Sequence, residues 1–183
     1  MRNWLGLSLL VVVCGCCVAQ GVKTTDTTTV VNLSGTWSLD FNASDFGGSK
    51  TSFIYDSLTL LINHSDPVLK ITRKMGKKKT TRSQALAYYT DGRGEKNPST
   101  SENAQVESKT SWQGKVLITN GTESHPTFGD VIMFDTTDRW ELSDDGNTLI
   151  EYTSSSPLRS KFGKSNFGSI GATQVKKVFR KQP

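Results

Sequence analysis

The chain has 183 residues and a mass of 20.1 kDa, and 22 Lys and Arg against 17 Asp and Glu give a formal net charge of +5 and a pI of about 9.1. A chain of this length is served by one hydrophobic core. With 34% hydrophobic, 9% aromatic and 21% charged residues, it holds too many large apolar side chains for a long disordered polymer. It is also too polar for a bundle of membrane-spanning helices.

Met1-Arg2-Asn3 is followed by a mostly apolar run from Trp4 to Val13 and then by small residues. One early positive charge and an apolar stretch shorter than the ~20 residues of a spanning helix predict an export signal over residues 1–19. The expected destination is the periplasm, cell envelope or extracellular space. Two cleavage readings fit. Val13-Cys14-Gly15-Cys16 resembles a bacterial lipobox, which would leave a lipidated Cys16 as the mature end and anchor the protein to a membrane through that lipid alone. Cys17-Val18-Ala19 instead fits ordinary cleavage before Gln20. All three cysteines, Cys14, Cys16 and Cys17, lie in this segment, so the body of the protein has no disulfide, thiol nucleophile or cysteine zinc site.

Residues 20–32 form a polar, threonine-rich tether with little to bury. From Leu33 to Pro183 the pattern is that of a single domain built from short segments of period two, broken by Gly, Asp, Asn and Pro every ten residues or so. Trp37, Leu39 and Phe41 share one face of the first strand, and Leu58, Leu60 and Ile62 share a face of the second. Leu69, Ile71, Arg73 and Met75 follow, with a turn at Gly76 to Lys79, and then Gln84, Leu86 and Tyr88 lead to the Asp91-Gly92 turn. Glu95 to Ala104 reads as a polar loop. Beyond it come Val106 to Trp112, Val116 to Thr119 and a long strand from Val131 to Leu142 whose even face carries Ile132, Phe134, Trp140 and Leu142. Asp144-Asp145-Gly146-Asn147 makes a hairpin with a glycine bulge, Leu149 to Thr153 returns, and Gln174 to Lys181 ends the set. Eight or nine strands in an antiparallel meander leave two open edges unless they close, so the expected fold is an all-β, up-and-down barrel.

Gly35-Thr36-Trp37 at the start of the first strand resembles the Gly-x-Trp of lipocalins. Leu33 to Trp37, Asn42 to Asp45, Asp138-Arg139-Trp140 and Ser143 to Leu149 are together similar to small secreted lipocalin-like proteins of bacteria. The resemblance implies a lipocalin-like barrel whose end is closed by Trp37 with Arg180 of the last strand stacked on it, a cation over an indole face.

Catalytic constellations are sparse. Gly-x-Ser-x-Gly, His-Glu-x-x-His and phosphate-binding glycine loops are missing, and two histidines remain, His64 at a strand end and His125 before Pro126 in a loop. A hydrolase would require these two to lie together, and the expectation is that the protein is not an enzyme and holds no metal or cofactor. Lys70, Arg73, Lys74, Lys77, Lys78, Lys79 and Arg82 form a basic stretch without an acid. Lys77, Lys78 and Lys79 at its turn are the candidate contact with an anionic surface. Nucleic acid is not an expected partner, because no base-stacking aromatic interrupts the run.

Leu60, Leu86, Tyr88, Trp112, Phe134 and Trp140 are the candidate interior residues. They suit an exported binding module for a small apolar or amphipathic ligand. The alternative is an envelope structural or interaction protein with a filled barrel and no small-molecule ligand.

Overall fold

Ten strands, hydrogen-bonded in antiparallel pairs, carry the period-two pattern: β1 (Gly35–Leu39), β2 (Ser57–Ser65), β3 (Val68–Lys77), β4 (Thr80–Tyr89), β5 (Glu95–Pro98), β6 (Gln105–Gln113), β7 (Val116–Thr127), β8 (Asp130–Leu142), β9 (Thr148–Pro157) and β10 (Thr173–Lys181). The structure is a computed structural model describing residues 31–47, 55–101, 103–127, 130–158 and 173–183. The expected export signal, the candidate lipidation site at Cys16 and nearly all of the expected tether lie outside the described residues. No helix occurs among the described residues.

The sheet order is β4-β3-β2-β1-β10-β9-β8-β7-β6-β5, so first and last strands pair and the meander curls into a nearly closed barrel. Ten strands replace the expected eight or nine. The added one, β5, lies in the segment read as a polar loop. Its inward residues Glu95 and Asn97 are hydrophilic and Pro98 ends it, so it carries no apolar alternation to detect. The strand β7 also runs past Thr119 to Thr127, which places His125 on a strand rather than in a loop.

The barrel's one seam lies between β4 and β5, where side chains do the pairing. Asn97 Oδ1 accepts the Ala87 N–H at 2.8 Å while its Nδ2 donates to the Ala87 carbonyl at 2.9 Å. The amide thus stands in for a neighbouring peptide group and satisfies both backbone groups of an edge residue. Glu95 Oε2 accepts the Tyr89 N–H at 3.2 Å, and Gln84 Nε2 donates to the Ser99 carbonyl at 2.6 Å.

Strand direction defines two ends. The β2–β3, β6–β7 and β8–β9 turns share one end, which is plugged. Trp37 and Phe179 are fully buried there with Leu33, Leu117 and Leu149, and removing each such side chain from water contributes about 1.5–3 kcal/mol. The Trp37 indole N–H donates to the Leu33 carbonyl at 3.0 Å. Its ring is covered by Lys181, with Nζ 5.4 Å from the centroid. This corrects the expected Arg180 stack. Trp37 is paired in register with Lys181 and Ser38 with Arg180, so alternation turns Arg180 to the outer face. There its Nε donates to Asp40 at 3.2 Å and its Nη1 to Thr148 at 2.8 Å.

The plug is tied off by the β2–β3 turn. Asp66 Oδ1 accepts from His64 Nε2 at 2.9 Å, Thr90 Oγ1 at 2.8 Å and Trp112 Nε1 at 3.4 Å. Desolvation pushes the Asp66 carboxyl up, but these hydrogen bonds, His64 foremost, outweigh it and hold the group below its ordinary value.

Candidate functional site: the barrel interior

Inward residues follow from register, because directly paired residues share a face. Leu60 is paired with Arg73 and Arg73 with Gln84, while Ile71 is paired with Leu86 and Leu69 with Tyr88. The β2–β4 wall is therefore a sheet of Leu58, Leu60, Ile62, Leu69, Ile71, Met75 and Leu86, all buried, into which one guanidinium is set. The opposite wall is different in kind. Across β6–β10 the inner face presents Ser108, Thr110, Thr119, Asp138, Glu151, Thr153 and Lys177.

These charges are mostly neutralised in place. Lys177 Nζ lies 2.8 Å from Glu151 Oε2. Burial draws the Lys177 pKa down, but Glu151, Tyr55 and Asp138 together outweigh it and the net direction is up. Asp138 accepts from Thr153 Oγ1 at 2.7 Å. Its pKa is pushed up to about 6, first by desolvation and second by the charge of Glu151, with Lys177 and Arg73 pulling the other way. Glu95 accepts from Ser108 and Thr110 hydroxyls, each at 2.7 Å. Glu123 meets the Ser99 hydroxyl and, at 3.1 Å, His125 Nε2.

Arg73 is the exception. Among the described residues it makes no ion pair and no hydrogen bond, although its charge is felt by Tyr55, Tyr88, Asp138 and Lys177. Directly across the β3–β4 ladder, Gln84 is buried, with Nε2 bonded to Ser99, and among the described residues its Oε1 has no hydrogen-bond partner. Five donors and one orphan acceptor thus face the same stretch of interior. Nearby, burial raises the phenol pKa of Tyr88 and of Tyr55, keeping both protonated.

All six candidate interior residues have inward register positions. Leu60, Leu86 and Trp140 belong to the buried cluster and Tyr88 and Trp112 pack against it. Phe134 stands apart towards the other end, edge-on to His125 with ring centroids 5.3 Å apart. Trp112, 5.8 Å from the His64 ring, and Trp140 crowd the plug. Between the plug and Phe134 the inner face carries Leu60, Leu86 and Tyr88, together with Arg73, Gln84, Asp138, Glu151 and Lys177, which were not among the six candidates. Alternation carried a signal for them. Arg73 falls in step with Ile71 and Met75, Asp138 with Phe134 and Trp140, and Glu151 with Leu149.

The histidines do not meet. His64 sits at the plugged end, whereas His125 is nine residues beyond Val116 on β7, roughly 30 Å away along the strand at 3.3 Å per residue. His64 is also fully engaged, its Nδ1 accepting the Leu33 N–H at 3.3 Å. A hydrolase built on the pair is ruled out by this separation. Among the described residues no group of His, Cys, Asp and Glu could hold a metal ion.

No protein-family model matches the chain, and no curated protein does. Solved structures do match. One titled "REP1-NXSQ fatty acid transporter" is 10% identical over 82% of this chain and 96% of its own, with a TM-score of 0.51, and its Y128F mutant is 11% identical over 82% and 98%, at 0.50. A fatty-acid-binding protein from Drosophila melanogaster brain is 15% identical over 81% and 99%, with a TM-score of 0.46. At such identities the likeness to the first two is one of fold: the chain shares the antiparallel β-barrel of fatty-acid-transport proteins.

Proposed function

We propose that this chain is an exported binding barrel that holds one small amphipathic molecule, its apolar part along the β2–β4 wall and its polar head at Arg73 and Gln84. The observation that carries the reading is an inward guanidinium that, among the described residues, has no partner, placed across the ladder from a buried amide oxygen that also has none. A buried acceptor such as Gln84 Oε1 is costly to leave unmet. An anionic head group accepts from Arg73 and balances its charge, and an O–H or N–H carried beside the anion would satisfy Gln84 Oε1 as well. The apolar wall supplies the remainder of the affinity, and the fatty-acid proteins among the structural neighbours support a ligand of this kind. The basic and polar groups make a wholly apolar ligand the poorer fit. Export is supported by the apolar run ahead of the barrel, Trp4 to Val13, and its small-residue end.

The test is calorimetric titration of the chain with hexadecanoic acid and with hexadecanol. The acid should bind, and Arg73→Leu should weaken it by about 10- to 100-fold, the worth of a hydrogen bond to a charged group, while leaving the alcohol within a few-fold. Equal affinity of wild type and Arg73→Leu for the acid would remove the guanidinium from the site. Failure of both compounds to bind favours the filled-barrel interaction protein.

A further inference from the structure

The charge of this protein is concentrated in one hairpin. Between Pro67 and Thr90 stand seven of the 22 cations and no acid, which leaves 15 cations (22 − 7 = 15) for the 17 acids elsewhere. One of the seven, Arg73, faces the interior, and Lys70 lies on the strand towards the plugged end. The other five, Lys74, Lys77, Lys78, Lys79 and Arg82, are exposed and gather at the β3–β4 turn, where Lys77 pairs with Thr80. None of the five forms an ion pair among the described residues. The nearest acid contact is made by backbone: Asp56 Oδ2 accepts the Lys78 N–H at 2.6 Å. Lys78 holds a positive φ of 54°, which bends the chain so that three consecutive lysines project from the tip.

This turn is at the end of the barrel opposite the Trp37 plug. At that same end, on the far side of the barrel, the outer face of β8 exposes Val131 (47%) and Met133 (37%), with Leu158 (37%) beside them. Leu158 donates its N–H to the Met133 carbonyl at 2.9 Å. Three of the five large hydrophobic residues exposed among the described residues are therefore together at one rim. A rim with unpaired lysines on one side and apolar side chains on the other fits a flat surface that is anionic outside and apolar just beneath. That is a lipid bilayer and not a soluble polyanion, which offers nothing to the apolar group.

We infer that the rim of the barrel at the β3–β4 turn docks on anionic phospholipid membranes, with the β3–β4 lysines on the headgroups and Met133 and Leu158 in the interface. The Trp37 plug then faces away from the bilayer. Each lysine held near such a surface strengthens binding about fivefold, the equivalent of ~1 kcal/mol.

The test is sedimentation of the full chain with vesicles of phosphatidylcholine alone and of phosphatidylcholine mixed with phosphatidylglycerol. Binding to the mixed vesicles, lost in molar salt and absent from the neutral ones, is the expected result. Lys77→Gln/Lys78→Gln/Lys79→Gln should weaken it by about 100-fold, and Met133→Ser/Leu158→Ser should weaken it severalfold with the salt dependence intact. Because the substituted side chains are exposed, the barrel fold of both variants is checked by unchanged far-UV dichroism. Equal sedimentation of wild type and the lysine variant, or no preference for the anionic vesicles, overturns the inference. So does anionic binding indifferent to Met133→Ser/Leu158→Ser, which assigns the lysines to a polyanion instead. Acid binding in the interior does not depend on any of these residues, so a failed docking test leaves Arg73 untouched.

Discussion

Replacing Asp138 by Asn should stabilise the protein at neutral pH. The carboxyl lies in the barrel wall beside Glu151, and its pKa is about 6 in the fold against an ordinary 3.8. A carboxyl whose folded pKa is raised is bound to its proton more tightly in the native state than in the unfolded one. Its contribution is therefore most favourable below the unfolded pKa and is lost as pH rises through the folded one. Two pKa units correspond to about 3 kcal/mol of penalty at about pH 7.5, of which about 2 kcal/mol is recovered on lowering the pH to about 4.5. The attraction of Lys177 and Arg73 is already inside that net figure. Asn keeps the shape and the oxygen that accepts from Thr153, so the substitution removes the charge and little else. Urea titrations of both proteins at the two pH values give the difference directly. The expected outcome is a variant more stable by about 3 kcal/mol at about pH 7.5 and by only about 1 kcal/mol at about pH 4.5. A variant that is no more stable at neutral pH, or an advantage that stays constant on acidification, would refute the reasoning.

Other substitutions probe the frame around the site. Asn97→Ala leaves the Ala87 N–H and carbonyl unpaired at the seam and should cost about 2–4 kcal/mol, with faster amide exchange at Ala87 than at its neighbours in β4. Gly121→Ala should also destabilise, by about 1–3 kcal/mol, since a Cβ there would lie 2.7 Å from the Glu107 carbonyl oxygen and from the Ser108 Cβ. Lys181→Ala and Arg180→Ala separate the two readings of the plug. The first should perturb the Trp37 fluorescence and the second should leave it unchanged, with stability moving by no more than about 1 kcal/mol in either.

Much of the barrel is visible in the chain because its strands need one apolar face. Trp37, Leu60, Ile71 and Leu86 stand at the right spacing, and the Asp144 to Asn147 turn closes as its residues predict, with the Gly146 N–H donating to the Ser143 carbonyl at 2.9 Å. What escaped was polar. Strand β5 is held by Glu95 and Asn97 side chains bonded to backbone, a device with no periodic signature. The interior charges were in step with apolar residues, yet a charge in step is an ordinary sight on a strand that ends in solvent. Its meaning here depends on the partner across the sheet: Glu151 opposite Lys177 is a closed pair, whereas Arg73 opposite Gln84 is not. The Trp37 cover shows the same limit at single-residue scale. Both Arg180 and Lys181 are cations on the last strand, and only the register between β1 and β10 decides which lies over the ring.

Retention of a molecule at Arg73 in the barrel interior is the central prediction. Native mass spectrometry of the full chain, produced with residues 1–19 in place and purified without detergent, tests this most directly. The predicted result is a reproducible added mass, released by mild activation, whose formula contains an acidic group and which Arg73→Leu loses. A bare protein mass that stays bare after incubation with a mixed lipid extract contradicts the claim.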